Sequence, residues 1–93
     1  MEQQTANEVF LKAFNARNSV AILDLKAEHG IGGYGVYFQL LEALAANGGK
    51  AEYNAARLAY KSHTEVWLVR TIIEDYSIFN YTDDEFELKD EIK

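Results

Sequence analysis

Tyr34, Tyr37, Phe38, Leu41, Leu44 and Ala45 recur at i, i+3, i+4, i+7, i+10 and i+11. That spacing lays one apolar stripe along a helix and is the strongest periodic signal in the chain. Asn47-Gly48-Gly49 is expected to end this helix, because glycine accepts the left-handed conformation at low cost. Upstream, Asn18 or Ser19 is placed to cap a helix running to Glu28, with Val20, Leu23 and Ala27 on one side and Gly30 as its stop. Val9, Phe10, Leu11 and Phe14 follow no clean period, so residues 8–18 read as an extended or loosely helical lead-in whose aromatics pack on the body.

Lys50-Ala51-Glu52-Tyr53 is too short for a helix and reads as a brief strand. Asn54 caps a short helix over Ala55 to Lys61 that buries Leu58 and Ala59. Ser62-His63-Thr64 makes a turn, and Thr64 is expected to cap a further helix with Glu65 in its first turn. Val66, Val69, Ile72 or Ile73, and Tyr76 are expected on that helix's inner face. Ile78 to Tyr81 and Glu85 to Leu88 alternate around Thr82-Asp83-Asp84, the pattern of a hairpin. Two helices joined by a short turn form a helix-turn-helix over residues 54–76. A strand before it and a hairpin wing over 78–89 predict a mainly α fold with a small β-hairpin, an α+β winged helix. The alternative is an α+β domain of another topology.

The 93 residues suit a single domain over 1–93, and 48% hydrophobic residues exclude a disordered composition. There is no cysteine and no proline, so no disulfide or thiolate–metal staple supplements the core. No apolar run is long enough for a membrane span, and Met1-Glu2-Gln3-Gln4 lacks the character of a signal peptide. A soluble, cytoplasmic domain without membrane contact is expected. The formal charge of −6 opposes nucleic-acid binding, but its distribution is uneven. Residues 50–70 carry Lys50, Arg57, Lys61 and Arg70 against Glu52 and Glu65, and are the one net-basic stretch; residues 71–93 carry eight acids.

Gly30-Ile31-Gly32-Gly33-Tyr34-Gly35 matches the dinucleotide-binding glycine pattern, but a charged helical stretch precedes it where a β-strand is required. Gly30 as a helix stop, Gly32 and Gly33 as a turn, and Gly35 as a point of close helix approach account for it better. Lys50 after Gly49 lacks the rest of a phosphate loop, since Leu44 and Ala51 stand where glycine and Ser or Thr are needed. His29 and His63 are isolated, and His29 suits a helix C-terminus. The acids from Asp83 to Glu87 lack a calcium loop's glycine. No nucleophile, base and orienting group come together, so no enzyme, metal, cofactor or small-molecule substrate is expected.

In a helix-turn-helix the second helix enters the major groove. Arg57, Lys61, His63, Thr64, Trp67, Arg70 and Thr71 are therefore the candidate duplex-DNA contacts. Glu74 and Asp75 on the same helix oppose that role. Trp67 and Leu68 lie on a face that should be wet, so they either tuck against the wing or contact a protein. With Phe10 and Phe14 they are the candidate protein-interaction residues, for a homodimer or a replication partner.

Asn15-Ala16-Arg17-Asn18, Ile22, Leu25, His29 through Tyr37, Leu40 to Leu44 and Gly48-Gly49, followed by Leu58-Ala59, Val66, Ile72 to Tyr76, Ile78-Phe79 and the acidic hairpin around Phe86, form a wider pattern. It resembles an N-terminal domain of unknown function in prophage and mobile-element proteins labelled replication initiators or replisome organisers. The Gly-Tyr-Gly-Val-Tyr run at 33–37 is its most specific element. The resemblance spans residues 14–90. It implies a winged-helix module at the head of a DNA replication initiation protein, similar to the N-terminal part of DnaD-like primosomal proteins, where such a module serves self-association as much as DNA contact. Many members carry a lysine in the first helix where this chain has Val20-Ala21, which weakens a DNA role for that helix.

Overall fold

The computed structural model describes residues 5–93. Its elements run α1 (Ala6–Asn15), α2 (Val20–Ala46), β1 (Lys50–Glu52), α3 (Ala55–Lys61), α4 (Val66–Asp75), β2 (Phe79–Tyr81) and β3 (Glu85–Leu88). The result is a mainly helical α+β domain with one small antiparallel sheet. No helix among the described residues is long and apolar enough to cross a membrane.

The lead-in is a regular helix, not an extended or loose segment. Thr5 and Glu8 form a reciprocal capping box: the Glu8 N–H donates to Thr5 Oγ1 at 3.1 Å, and the Thr5 N–H donates to Glu8 Oε1 at 3.0 Å. Two of the helix's orphan donors are thereby satisfied. Val9 and Ala13 are buried, whereas Leu11 and Phe14 face solvent. The apolar arc of α1 is wider than the surface available to cover it, which is why it shows no single period.

α2 starts under the Ser19 side chain, which accepts from the Ile22 N–H at 3.3 Å. It breaks at Gly30, where φ is 63° and ψ −159°, a combination open essentially to glycine alone. The break divides α2 into two arms with independently set faces. The first arm buries Ala21, Ile22 and Leu25, not the expected Val20, Leu23 and Ala27. The second buries Gly33, Val36, Tyr37, Leu40, Leu41 and Leu44, so the expected stripe is rotated and Phe38 is left exposed. Gly32 and Gly33 are helical, and they do not turn the chain. Gly35 is exposed, and an added Cβ would meet nothing within 4 Å, so it is not the point of close approach. That point is Gly33, whose added Cβ would lie 2.2 Å from His29 Cβ.

The Asn54 side chain accepts from the Arg57 N–H at 3.0 Å and starts α3. Glu65, not Thr64, is the N-cap residue of α4, and it makes no side-chain cap hydrogen bond. α4 buries Val69, Ile72 and Ile73, while Val66, expected inside, is exposed. β1 pairs with β3 in the register Ala51↔Phe86, and β2 pairs with β3 in the register Tyr81↔Phe86, giving the order β1-β3-β2. The lone strand completes the hairpin's sheet because a two-stranded ribbon of this length is marginal alone. Phe79, Phe86 and Leu88 turn inward, with Phe79 set edge-on against both Phe86 and Tyr37.

Tyr37 is 2% exposed, and its hydroxyl has no hydrogen-bond partner among the described residues. Burial pushes its phenol well above the usual tyrosine range, with Tyr34 adding to the effect. An unpartnered buried hydroxyl costs about 1–3 kcal/mol in desolvation. Tyr37→Phe is therefore expected to stabilise the domain by about 1 kcal/mol in urea denaturation. A loss of similar size would mean that the hydroxyl has a partner in solution.

Candidate macromolecular interface

The seven candidate DNA contacts come from α3, the turn after it and α4. Asn54 caps α3 so that Ala55, Leu58 and Ala59 turn inward and Arg57, Tyr60 and Lys61 outward. The Arg57 Nη1 lies 3.4 Å from Glu52 Oε1 on β1. Lys61, at the end of α3, has no salt-bridge partner among the described residues. His63 follows in a left-handed turn conformation, φ 53°, and is exposed. The Thr64 N–H donates to the Ala59 carbonyl at 3.0 Å, closing the turn.

α4 divides its outer residues between two neighbours. On one side the Arg70 Nη1 lies 3.8 Å from Glu74 Oε2, and Glu74 also accepts a hydrogen bond from the Tyr53 hydroxyl. On the other side Trp67 lies 6.0 Å from the His29 ring, measured between centroids. Trp67 thus packs towards the break in α2, not against the wing, and remains 56% exposed. Tyr76 meets His29 edge-on from the end of α4, and its hydroxyl donates to Glu28 Oε1 at 2.5 Å. Burial, then that hydrogen bond, push the Tyr76 phenol up to about 12. Thr71 and Leu68 are half-buried, and Leu68 packs against the core, so the expectation that it sits on a wet face is corrected. The two arginines expected to meet phosphate already face carboxylates on their own molecule.

The aromatic candidates at the other end of the chain lie together. Phe10 stacks on Phe38 of α2 with centroids 5.6 Å apart and planes 28° from parallel. Phe14, one turn on, is 58% exposed, and the Arg17 guanidinium sits 3.9 Å above its ring. The Arg17 Nη1 donates to the Phe14 carbonyl at 2.8 Å, which fixes the cation there. Leu11, 60% exposed, and Phe38 extend this surface. Sequence reasoning missed both. Leu11 was lost in the aperiodic lead-in, and Phe38 was counted in the core stripe. The signal available for Leu11 was the excess itself: five apolar residues in six positions, from Val9 to Phe14, cannot share one helix face.

No protein-family model, no curated protein and no solved structure matches this chain.

Proposed function

We propose that this chain is a non-enzymatic winged-helix module that assembles with a second copy of itself through α1 and the adjoining face of α2. Its context, on the resemblance described above, is phage or mobile-element DNA replication initiation. The element order and the sheet order β1-β3-β2 support the winged-helix reading. The observation that carries assembly is the exposed apolar surface of Leu11, Phe14 and Phe38 beside the half-buried Phe10. These side chains expose roughly 300 Å² of apolar area, the size of patch that is often functional on a small protein.

A second copy suits this surface because α1 and the turn after it, residues 8–17, are self-complementary. Setting two α1 helices antiparallel with Leu11 against the partner's Phe14 also brings Glu8 towards the turn after the partner's α1, where Arg17 lies over the Phe14 ring. Both pairs are centred on the same point, between Lys12 and Ala13. A two-fold interface repeats each pair, so one patch supplies both halves. The patch is smaller than the roughly 800 Å² per partner of a standard interface, which sets the expected affinity in the micromolar range.

Direct contact with duplex DNA is the second reading, favoured by exposed Lys61 and His63 at the turn between α3 and α4. A titration of generic duplex at low and moderate salt separates the two. The assembly reading expects a concentration-dependent dimer and no micromolar duplex binding. Binding that collapses with salt and weakens in Arg57→Ala and Lys61→Ala would replace it with the DNA reading.

A further inference from the structure

Between α4 and the hairpin tip lies a recess. It consists of two adjoining hollows that share Tyr53, Ala55, Arg70 and Asp83 in their walls. Its aromatic sides are Tyr53 and Tyr81, set edge-on with centroids 6.0 Å apart. Its charge is unsuited to phosphate. Glu52, Glu74, Asp83 and Asp84 line it against the single guanidinium of Arg70. Arg57, the cation nearest in sequence, is held by Glu52. Arg70 reaches Glu74 at 3.8 Å with 61% of its side chain still exposed.

We propose that this recess, together with the uncovered face of α4, docks a cationic peptide segment of a partner protein, rich in arginine. The argument is one of charge complementarity between the guest and the recess carboxylates, beside the exposed Val66 and Arg70 of α4. A guanidinium is planar and weakly hydrated, and it gains both from carboxylates and from the faces of aromatic rings. The recess offers both acceptors within one concavity. Arg70 already pairs with one of its carboxylates, so the incoming cation displaces it from Glu74 or shares that carboxylate. This site is separate from the α1–α2 face and does not depend on self-association.

The sign of one substitution distinguishes this proposal from DNA reading. Arg70→Ala removes a competing cation and is expected to tighten binding of a fluorescent arginine-rich peptide about threefold in anisotropy titrations. The same change would weaken a phosphate site. Asp83→Asn, at the exposed hairpin tip, is expected to weaken the peptide about threefold, whereas Glu42→Gln, with the same change in net charge on the second arm of α2, leaves it unaltered. Tyr81→Leu, which changes no charge, is expected to weaken it as well. The proposal is overturned if the peptide does not bind saturably at low salt. It is equally overturned if Arg70→Ala weakens binding, or if Asp83→Asn and Glu42→Gln act alike, which would mean attraction to net charge alone. Preference for duplex DNA over the peptide would overturn it too.

Discussion

Gly33→Ala is expected to destabilise the domain by about 2–3 kcal/mol, while Gly35→Ala, two residues on, stabilises it by about 0.5–1 kcal/mol. The opposite signs follow from what each new methyl meets. At Gly33 the added Cβ falls 2.2 Å from His29 Cβ. That atom is fixed to the backbone, so no rotamer change relieves the clash and the two arms of α2 must separate. Overpacking of this kind costs about 1–3 kcal/mol. The separation also pulls His29 away from Trp67 and Tyr76, which together fasten the end of the first arm to α4. At Gly35 the backbone is helical, the position is exposed and nothing lies within 4 Å. Alanine there gains only the helix propensity that glycine lacks. For a domain of this size each kcal/mol moves the midpoint by about 4–8 °C. Thermal unfolding should therefore show Gly33→Ala melting about 10–20 °C below wild type and Gly35→Ala a few degrees above it. Equal behaviour of the two would contradict the break at Gly30 as the feature that sets the two arms.

Replacing Leu11 and Phe14 together by serine is expected to abolish self-association without unfolding the protein. Both side chains are more than half exposed, so the monomer loses little buried area. Surface substitutions of this kind usually change stability by less than about 0.5 kcal/mol. In the proposed dimer the same two residues form the centre of the interface on each copy, and truncations at such centres cost about 2 kcal/mol or more. The dissociation constant should rise at least about thirtyfold, with the far-ultraviolet spectrum unchanged. A dimer that survives the double substitution would place the contact on another surface.

Much of the architecture was legible because local chemistry dictated it. Ser19 and Asn54 each stand directly before an apolar-periodic run, where a short polar side chain satisfies the first free N–H groups. The pairing of β1 with the hairpin was legible because a lone strand of three residues has no other edge to join. The sequence leaves α1 between an extended and a loosely helical reading, although its capping box, Thr5 to Glu8, is written in it. Its two-sided apolar arc hid the period that would have announced it. The faces of α2 were misassigned because the break at Gly30 resets the phase, and a single periodic fit cannot span it.

The candidate interface was less legible, for reasons of distance along the chain. The spacing of Arg70 and Glu74 allows an ion pair, but the Tyr53 hydroxyl that also occupies Glu74 comes from another element. Trp67 and His29 meet across most of the fold, and nothing local to either residue announces it. Phe10 and Phe14 stand out in the sequence as the aromatics of the lead-in, whereas Leu11 and Phe38, which make them a surface, need the packing of α1 on α2.

Self-association through antiparallel α1 helices is the central claim, and sedimentation equilibrium on a charge-reversal cycle tests it most directly. The four proteins are wild type, Glu8→Arg, Arg17→Glu and the double variant. Glu8 also belongs to the α1 capping box, but that loss is common to Glu8→Arg and the double variant, so the cycle cancels it. Each single reversal turns two attractive pairs across the interface into two repulsive ones, worth about 1–2 kcal/mol in all for exposed charges. The account predicts a micromolar wild-type dimer, about tenfold weaker association in Arg17→Glu, and recovery in the double variant relative to Glu8→Arg. A wild-type monomer at high concentration, or a double variant weaker than both singles, would contradict it.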